Sequence, residues 1–469
     1  MVFSSLPFLY LFLPLVLAAY FLLPGMKAKN AVLIAASLLF YAWGEPVYVF
    51  LMVGMAAANW GFGILTERFS PKAVCVIAII FDLACLGVFK YAGFFVSNVN
   101  RIGGLSIPVP QIILPIGISF YTFQILSYVI DVSRRKVAVQ QSFWKFLLFV
   151  CLFPQLIAGP IVRYSDVEPQ LSERKVDLES VFYGAYRFCI GLGKKVLLAD
   201  YAGKVAGGLL DGTLAAQSSL GVWFGALLFM FEIYFDFSGY SDMAIGLGRV
   251  FGFKYPENFN SPYCARSISD FWRRWHISLS TFFRDYVYIP LGGNRRHVYL
   301  NLLIVWALTG LWHGASWNFV LWGLYFFVLL TIERIFKKQI AHLARPLAHV
   351  LTLLLILVGW NIFYHTDTSR LIESFRVMFG FAGAGVYNHQ TGITMLNALP
   401  LVIACAFGAS PLPKMIGNTF SMLCTTQSHN GGKQVLYVAV MFLYALVLLA
   451  LSTVALTGSS FNAFLYFRF

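Results

Sequence analysis

Stretches of about twenty apolar residues recur along this chain, and they constrain its fold more than any other feature. A helix needs ~20 such residues to cross the hydrocarbon core of a bilayer. In lipid every backbone amide must be paired within its own segment, so runs of this length read as helices. Candidate spans run near 6–24, 30–43, 46–65, 73–96, 111–130, 143–161, 219–247, 298–311, 313–331, 349–364, 393–409 and 435–456. With 59% hydrophobic and 12% charged residues among 469, a soluble globular domain is excluded. The whole of 1–469 reads as one all-α polytopic membrane domain, a multi-helix transmembrane bundle with re-entrant or interfacial helices. Gly and Pro interrupt several runs, as in Leu114-Pro-Ile-Gly117 and between Pro154 and Pro160. Such breaks are tolerated at membrane depth only where they are buried in protein or line a cavity.

The net charge of +14 is not a nucleic-acid signal. The basic residues lie mostly in short loops and at segment ends, where they meet lipid headgroups and set orientation. The clusters Arg134-Arg-Lys136 and Arg334, Lys337, Lys338 and Arg345 are expected inside. Counting spans from there places the N-terminus and the tail 457–469 on the outer, periplasmic face. No basic residue precedes the segment from Leu6 to Pro24, which argues for a retained first span. The seven cysteines form no CxxC pair and read as free thiols, without disulfide framework or zinc spacing. Two regions are more polar. In 163–215 the ends read as loop and the middle as amphipathic or interfacial helix; 254–297 reads as short interfacial or re-entrant helices.

His313 lies inside the apolar run from Asn301 to Gly323. A titratable imidazole at that depth is costly unless it faces protein or a wet cavity. Gly310, Gly314 and Gly323 leave space beside it for another backbone or a substrate. The bland account is a histidine hydrogen-bonded inside the bundle. The chemical account is a general base, because imidazole titrates near ~6.5. His276 sits in Asp270-Phe-Trp-Arg-Arg-Trp-His-Ile-Ser-Leu-Ser280, among Arg273, Arg274 and Arg284. These arginines are either interfacial anchors or a fork-like grip on the phosphates of a donor, with Arg273 and Arg274 foremost. Asp270 and Asp285 stand ready to neutralise them in structural pairs.

The run Phe231 to Gly248 carries Glu232, Asp236 and Asp242. The spacing puts Glu232 with Asp236, and Ser238 with Asp242, on common helix faces. Their expected partners are the basic residues of 266–284. His342, His349, His365, His389 and His429 read as solvated or interfacial. HExxH, EF-hand, Walker and GxSxG patterns are absent, so neither a metal nor a bound nucleotide is expected. The closing Phe461-Asn-Ala-Phe-Leu-Tyr-Phe-Arg-Phe469 reads as an aromatic anchor. Alternatively Tyr466 is an acyl acceptor, since a phenol ester stays activated for onward transfer.

Four segments carry a resemblance: Leu114-Pro-Ile-Gly-Ile-Ser-Phe-Tyr-Thr-Phe-Gln124, Tyr234-Phe-Asp-Phe-Ser-Gly-Tyr-Ser-Asp242, Ser269 to Ser280, and Leu311-Trp-His-Gly-Ala-Ser-Trp-Asn-Phe-Val-Leu-Trp-Gly323. Together they resemble the membrane-bound O-acyltransferase family, in its bacterial polysaccharide O-acetyltransferase branch. The likeness runs over essentially the whole chain. It implies a helix bundle around a tunnel between the two membrane faces, in the bacterial inner membrane. His313 takes the place of the family's catalytic histidine and His276 that of its second motif position. No bound cofactor is implied; acetyl-CoA is the implied donor. The implied partners are membrane lipid, a periplasmic serine-hydrolase-like O-acetyltransferase and an exported polysaccharide of peptidoglycan, alginate or cellulose type. The tail is similar to that of a small partner peptide in teichoic acid D-alanylation, which implies Tyr466 as an acyl relay. Residues 410–434 are short where the alginate subunit carries a long polar insert, so the polymer stays open. Two other functional classes remain beside the enzyme: a transporter that moves a donor without chemistry, and an assembly scaffold for a secretion complex.

Overall fold

The computed structural model describes residues 1–425 and 431–458, and every regular element among them is helical. Seven described helices are long and apolar enough to cross a membrane: Tyr48–Leu65, Pro71–Gly103, Ser219–Val250, Trp317–Ile335, Arg345–Tyr364, His389–Ala409 and Lys433–Gly458. Phe8–Leu22 and Val298–His313 are shorter apolar helices. The fold class expected from the apolar runs is therefore observed.

The interruptions fall where Gly and Pro placed them, and there the expected boundaries need correction. The span expected over 111–130 is a helix only from Ile118 to Ser133. Gly117 precedes it with φ +77°, and a Cβ there would press on the Leu156 carbonyl oxygen at 2.7 Å. The span expected over 143–161 divides into Phe143–Cys151 and Phe153–Leu156, with Pro154 in the first turn of the second piece. Residues 157–163 are irregular but almost wholly buried, as broken backbone at such depth must be. The stretch 163–215 is more helical than expected. Tyr164–Ser172 and Asp200–Leu210 are helices where loop was anticipated.

The chain packs as two compact units. One comprises Met1–Phe188 with Tyr240–Glu257. Phe3, Phe8, Phe12, Phe40 and Phe153 form its aromatic core, with ring centroids 4.9–6.3 Å apart. Arg187 reaches both Asp242 (2.8 Å) and Glu257 (2.5 Å) there.

The other unit comprises Cys189–Gly239 with the described residues from Asn258 onward. Lys195 lies at its interior between Asp236 (2.6 Å) and Asp200 (2.7 Å). Asp236 and Asp242 thus find their cations on the helical stretch 187–195. The basic residues of 266–284, expected to supply them, pair with nearby acids instead: Arg273 and Arg274 with Asp270, Arg284 with Asp285.

Helices Val298–His313 and Trp317–Ile335 form a tight hairpin in this second unit. At their crossing the Gly310 and Gly323 backbones touch. A Cβ on Gly310 would strike the Phe319 carbonyl, and one on Gly323 the Trp306 carbonyl. The space these glycines leave is therefore taken by another backbone, one of the two uses open from the sequence. Gly323→Val should cost about 1–3 kcal/mol, the usual penalty of overpacking, read as a lower thermal midpoint in detergent. Gly54→Ala is the matched control, because a Cβ there meets nothing within 4 Å.

Candidate active site

Helix Val298–His313 ends at His313, and Gly314 to Ser316 turn the chain before Trp317 starts the next helix. A break was expected here, with the first helix ending two residues earlier, at 311, and the second starting four residues earlier, at 313. The His313 ring is 7% exposed. It packs edge-on against Trp312 (5.0 Å), Trp322 (5.1 Å) and Phe363 (5.1 Å).

His276 is buried as well. It lies between two helices of about two turns each, Ile268–Arg274 and Ile277–Phe283, and has φ +44°. A non-glycine residue in the left-handed region is strained and often marks a functional position. The first short helix is capped twice: Ser267 Oγ accepts from the Asp270 amide, and Glu333 on helix Trp317–Ile335 accepts from the Ser269 amide at 3.1 Å. The negative carboxylate suits the positive end of the helix. His276 Nδ1 faces Asn258 Oδ1 at 3.0 Å, and its ring lies edge-on to Phe237 at 4.7 Å. Burial, with His313 close by, pushes the His276 imidazole well below the usual histidine range, so it is neutral.

Both histidines line one cavity of about 410 Å³. On one side stand Val305, Trp306, Thr309 and His313, which share a helix face spanning ~12 Å at 1.5 Å per residue. On the other are Trp272, Arg273, His276, Ser280 and Arg284. Leu330, thirteen residues along the returning helix from Trp317, lines the wall too. The cavity therefore runs from His313 toward the basic end of the hairpin. Three indoles line it, those of Trp272, Trp275 and Trp306; Trp272 meets Trp306 at 4.8 Å and, behind the wall, Trp322 at 5.4 Å.

Of the two arginines put forward for donor binding, Arg273 lines this cavity and Arg274 does not. Arg274 turns to Asp270 and the Asn260 carbonyl. Arg284, also considered, lines the cavity in its place. Tyr466 and His429 lie outside the described residues. His365, expected to be solvated or interfacial, is 4% exposed. Burial pushes it down to about 4. His349 is half-buried and sits within a helix, its Nδ1 2.8 Å from the Ala265 carbonyl. Asn258 and Glu333 were not anticipated.

Residues 80–365 match the membrane-bound O-acyltransferase family. The chain belongs to that family. Both histidines and the whole cavity lie within the matched stretch. A relative from Azotobacter vinelandii, named as a probable alginate O-acetylase, is 38% identical over the full length of both chains. A peptidoglycan O-acetyltransferase from Helicobacter pylori is 33% identical, covering all of this chain and 98% of its own. A teichoic acid D-alanyltransferase from Bacillus subtilis is 31% identical over 49% of this chain and 62% of its own. The family and the seven apolar helices make this protein a multi-pass O-acyltransferase of the bacterial inner membrane. Of the three functional classes left open by the sequence, the enzyme is the one the family supports.

Proposed function

We propose that this enzyme takes acetyl groups from a cytoplasmic thioester, acetyl-CoA, and passes them across the inner membrane for O-acetylation of an exported polysaccharide. The observation that carries this reading is the single cavity shared by His313 and His276, with Arg273 and Arg284 on its wall. Guanidinium groups suit the phosphates of a nucleotide thioester. The indole-lined interior suits an apolar acyl arm and keeps water away.

In the reaction, a hydroxyl oxygen attacks the thioester carbonyl carbon. His313 takes the hydroxyl proton as the C–O bond forms. The tetrahedral intermediate collapses with cleavage of the C–S bond, and His313 returns the proton to the thiolate. Tyr466 is the proposed first acceptor. Its phenyl ester keeps the acetyl group activated for a periplasmic serine-hydrolase-like partner, which places it on the polymer. The relatives named for alginate and for peptidoglycan leave both polymers as candidates, and cellulose stays beside them.

The test incubates purified protein with acetyl-CoA radiolabelled in the acetyl group and counts label on the chain. Wild type should be labelled and Tyr466→Phe should not, with the thermal midpoint unchanged. Label that persists in Tyr466→Phe assigns the acceptor elsewhere. No transfer from acetyl-CoA to wild type, with or without the partner, overturns the donor assignment.

A further inference from the structure

His276 is held on both sides by one residue, Asn258. The Asn258 backbone carbonyl accepts from the Ile277 amide at 3.0 Å, immediately after the strained histidine. The Asn258 side-chain oxygen receives the Ser278 amide at 3.3 Å and the Ser278 hydroxyl at 2.9 Å. A backbone N–H can only donate, so the atom facing it is the amide oxygen and not the amide nitrogen. The same oxygen lies 3.0 Å from His276 Nδ1 and can offer that nitrogen nothing but lone pairs. The Ser278 hydroxyl also lies 3.5 Å from Nδ1, but its hydrogen goes to the nearer Asn258 oxygen at 2.9 Å, which leaves Nδ1 to carry its own hydrogen toward that oxygen. His276 Nε2 is left as the acceptor, and it is a buried atom with no hydrogen-bond partner among the described residues.

We propose that Asn258 is a positioning residue that holds His276 as the neutral Nδ1–H tautomer, so that Nε2 is kept beside the cavity as a lone pair ready to receive an O–H or N–H donor. A neutral amide suits this task better than a carboxylate, which would favour the imidazolium and put a hydrogen on Nε2. The surroundings agree. His313 is near enough to act on the ring electrostatically, helix Ser219–Val250 presents Phe237, and Val298–His313 presents Trp312 at 5.8 Å. Arg273 and Arg284 supply the charge on the described cavity wall, which has no carboxylate.

The kinetic half of the test rests on the acyl-transfer reading above; the spectroscopic half does not. Full-length protein labelled with ¹⁵N-histidine gives ring-nitrogen resonances, and the His276 pair is identified by its loss in His276→Gln. The expected spectrum has a protonated Nδ1 and a bare Nε2, and Asn258→Leu should mix the two tautomers. A protonated Nε2 in wild type, or a spectrum unmoved in Asn258→Leu, overturns the proposal.

For kinetics, Asn258→Asp should move the acid limb of kcat/KM upward by one pH unit or more. The carboxylate raises the imidazole pKa, so the lone pair is missing over more of the neutral range. An acid limb that stays in place while the rate falls would mean that Asn258 is merely structural, and would overturn its role. Absence of acyl transfer in wild type would count against the proposed function, and the ¹⁵N spectrum would still decide the tautomer.

Discussion

His313→Ala should lower acetyl transfer by about 10²–10⁴-fold, the range over which a positioned general base acts. The ring is wedged among Trp312, Trp322 and Phe363, so alanine also removes packing volume. His313→Gln separates the two effects. It keeps much of the volume and a polar tip but has no group that titrates near neutral pH. Both variants should lose transfer to a similar extent, while only alanine lowers the thermal midpoint. Initial rates with labelled acetyl-CoA and a melting curve in detergent measure the two quantities. Retention of a tenth or more of wild-type transfer in His313→Gln would remove His313 from the proton-transfer step.

Lys195→Met should be the most destabilising single change among those considered, at about 3–5 kcal/mol. Removing one partner of a buried ion pair leaves the other charge without compensation. Here two carboxylates lose the same ammonium: Asp236, which is 2% exposed, and Asp200 at 2.7 Å. The double change Lys195→Met with Asp236→Leu should recover part of the loss, because an apolar replacement of a whole buried pair is often close to neutral. Thermal midpoints of the two variants, compared in one detergent, give the ordering. A single variant as stable as wild type would show that water or a neighbouring group already solvates the carboxylates.

The long apolar runs were legible because their length alone decides between spanning and not spanning. Their breaks were legible in kind but not in position. Gly117 and Pro154 mark interrupted helices, yet only packing shows that residues 111–117 never become helical. His313 and His276 declared themselves as rare titratable groups in apolar, Trp-rich surroundings. Partners far apart in sequence were not legible. Arg187 and Asp242 are 55 residues apart, and no local period links them, so the nearer arginines seemed the natural cations.

The choice between Arg273 and Arg274 could have been made from helix geometry. At about 100° per residue Arg274 points about 200° from Trp272 and about 140° from Ser269, on the far side of the helix from the face those two share. Ser269, Trp272 and Arg273, at spacings of three and four, form the face that meets the cavity. Asn258 had no such signal. A single amide in an irregular stretch looks the same whether it orders a catalytic ring or caps a turn.

The glycine crossing at Gly310 and Gly323 also has a mechanical side. Two helices in backbone contact cannot slide or part without losing that fit, so the hairpin carrying His313 behaves as one stiff plank. The opposite wall is built from helices of seven residues each, hinged at a left-handed histidine. If the cavity widens to admit an acyl donor, the compliance resides in the His276 side. His313 stays fixed, and whatever enters the cavity is brought to it by the wall that yields.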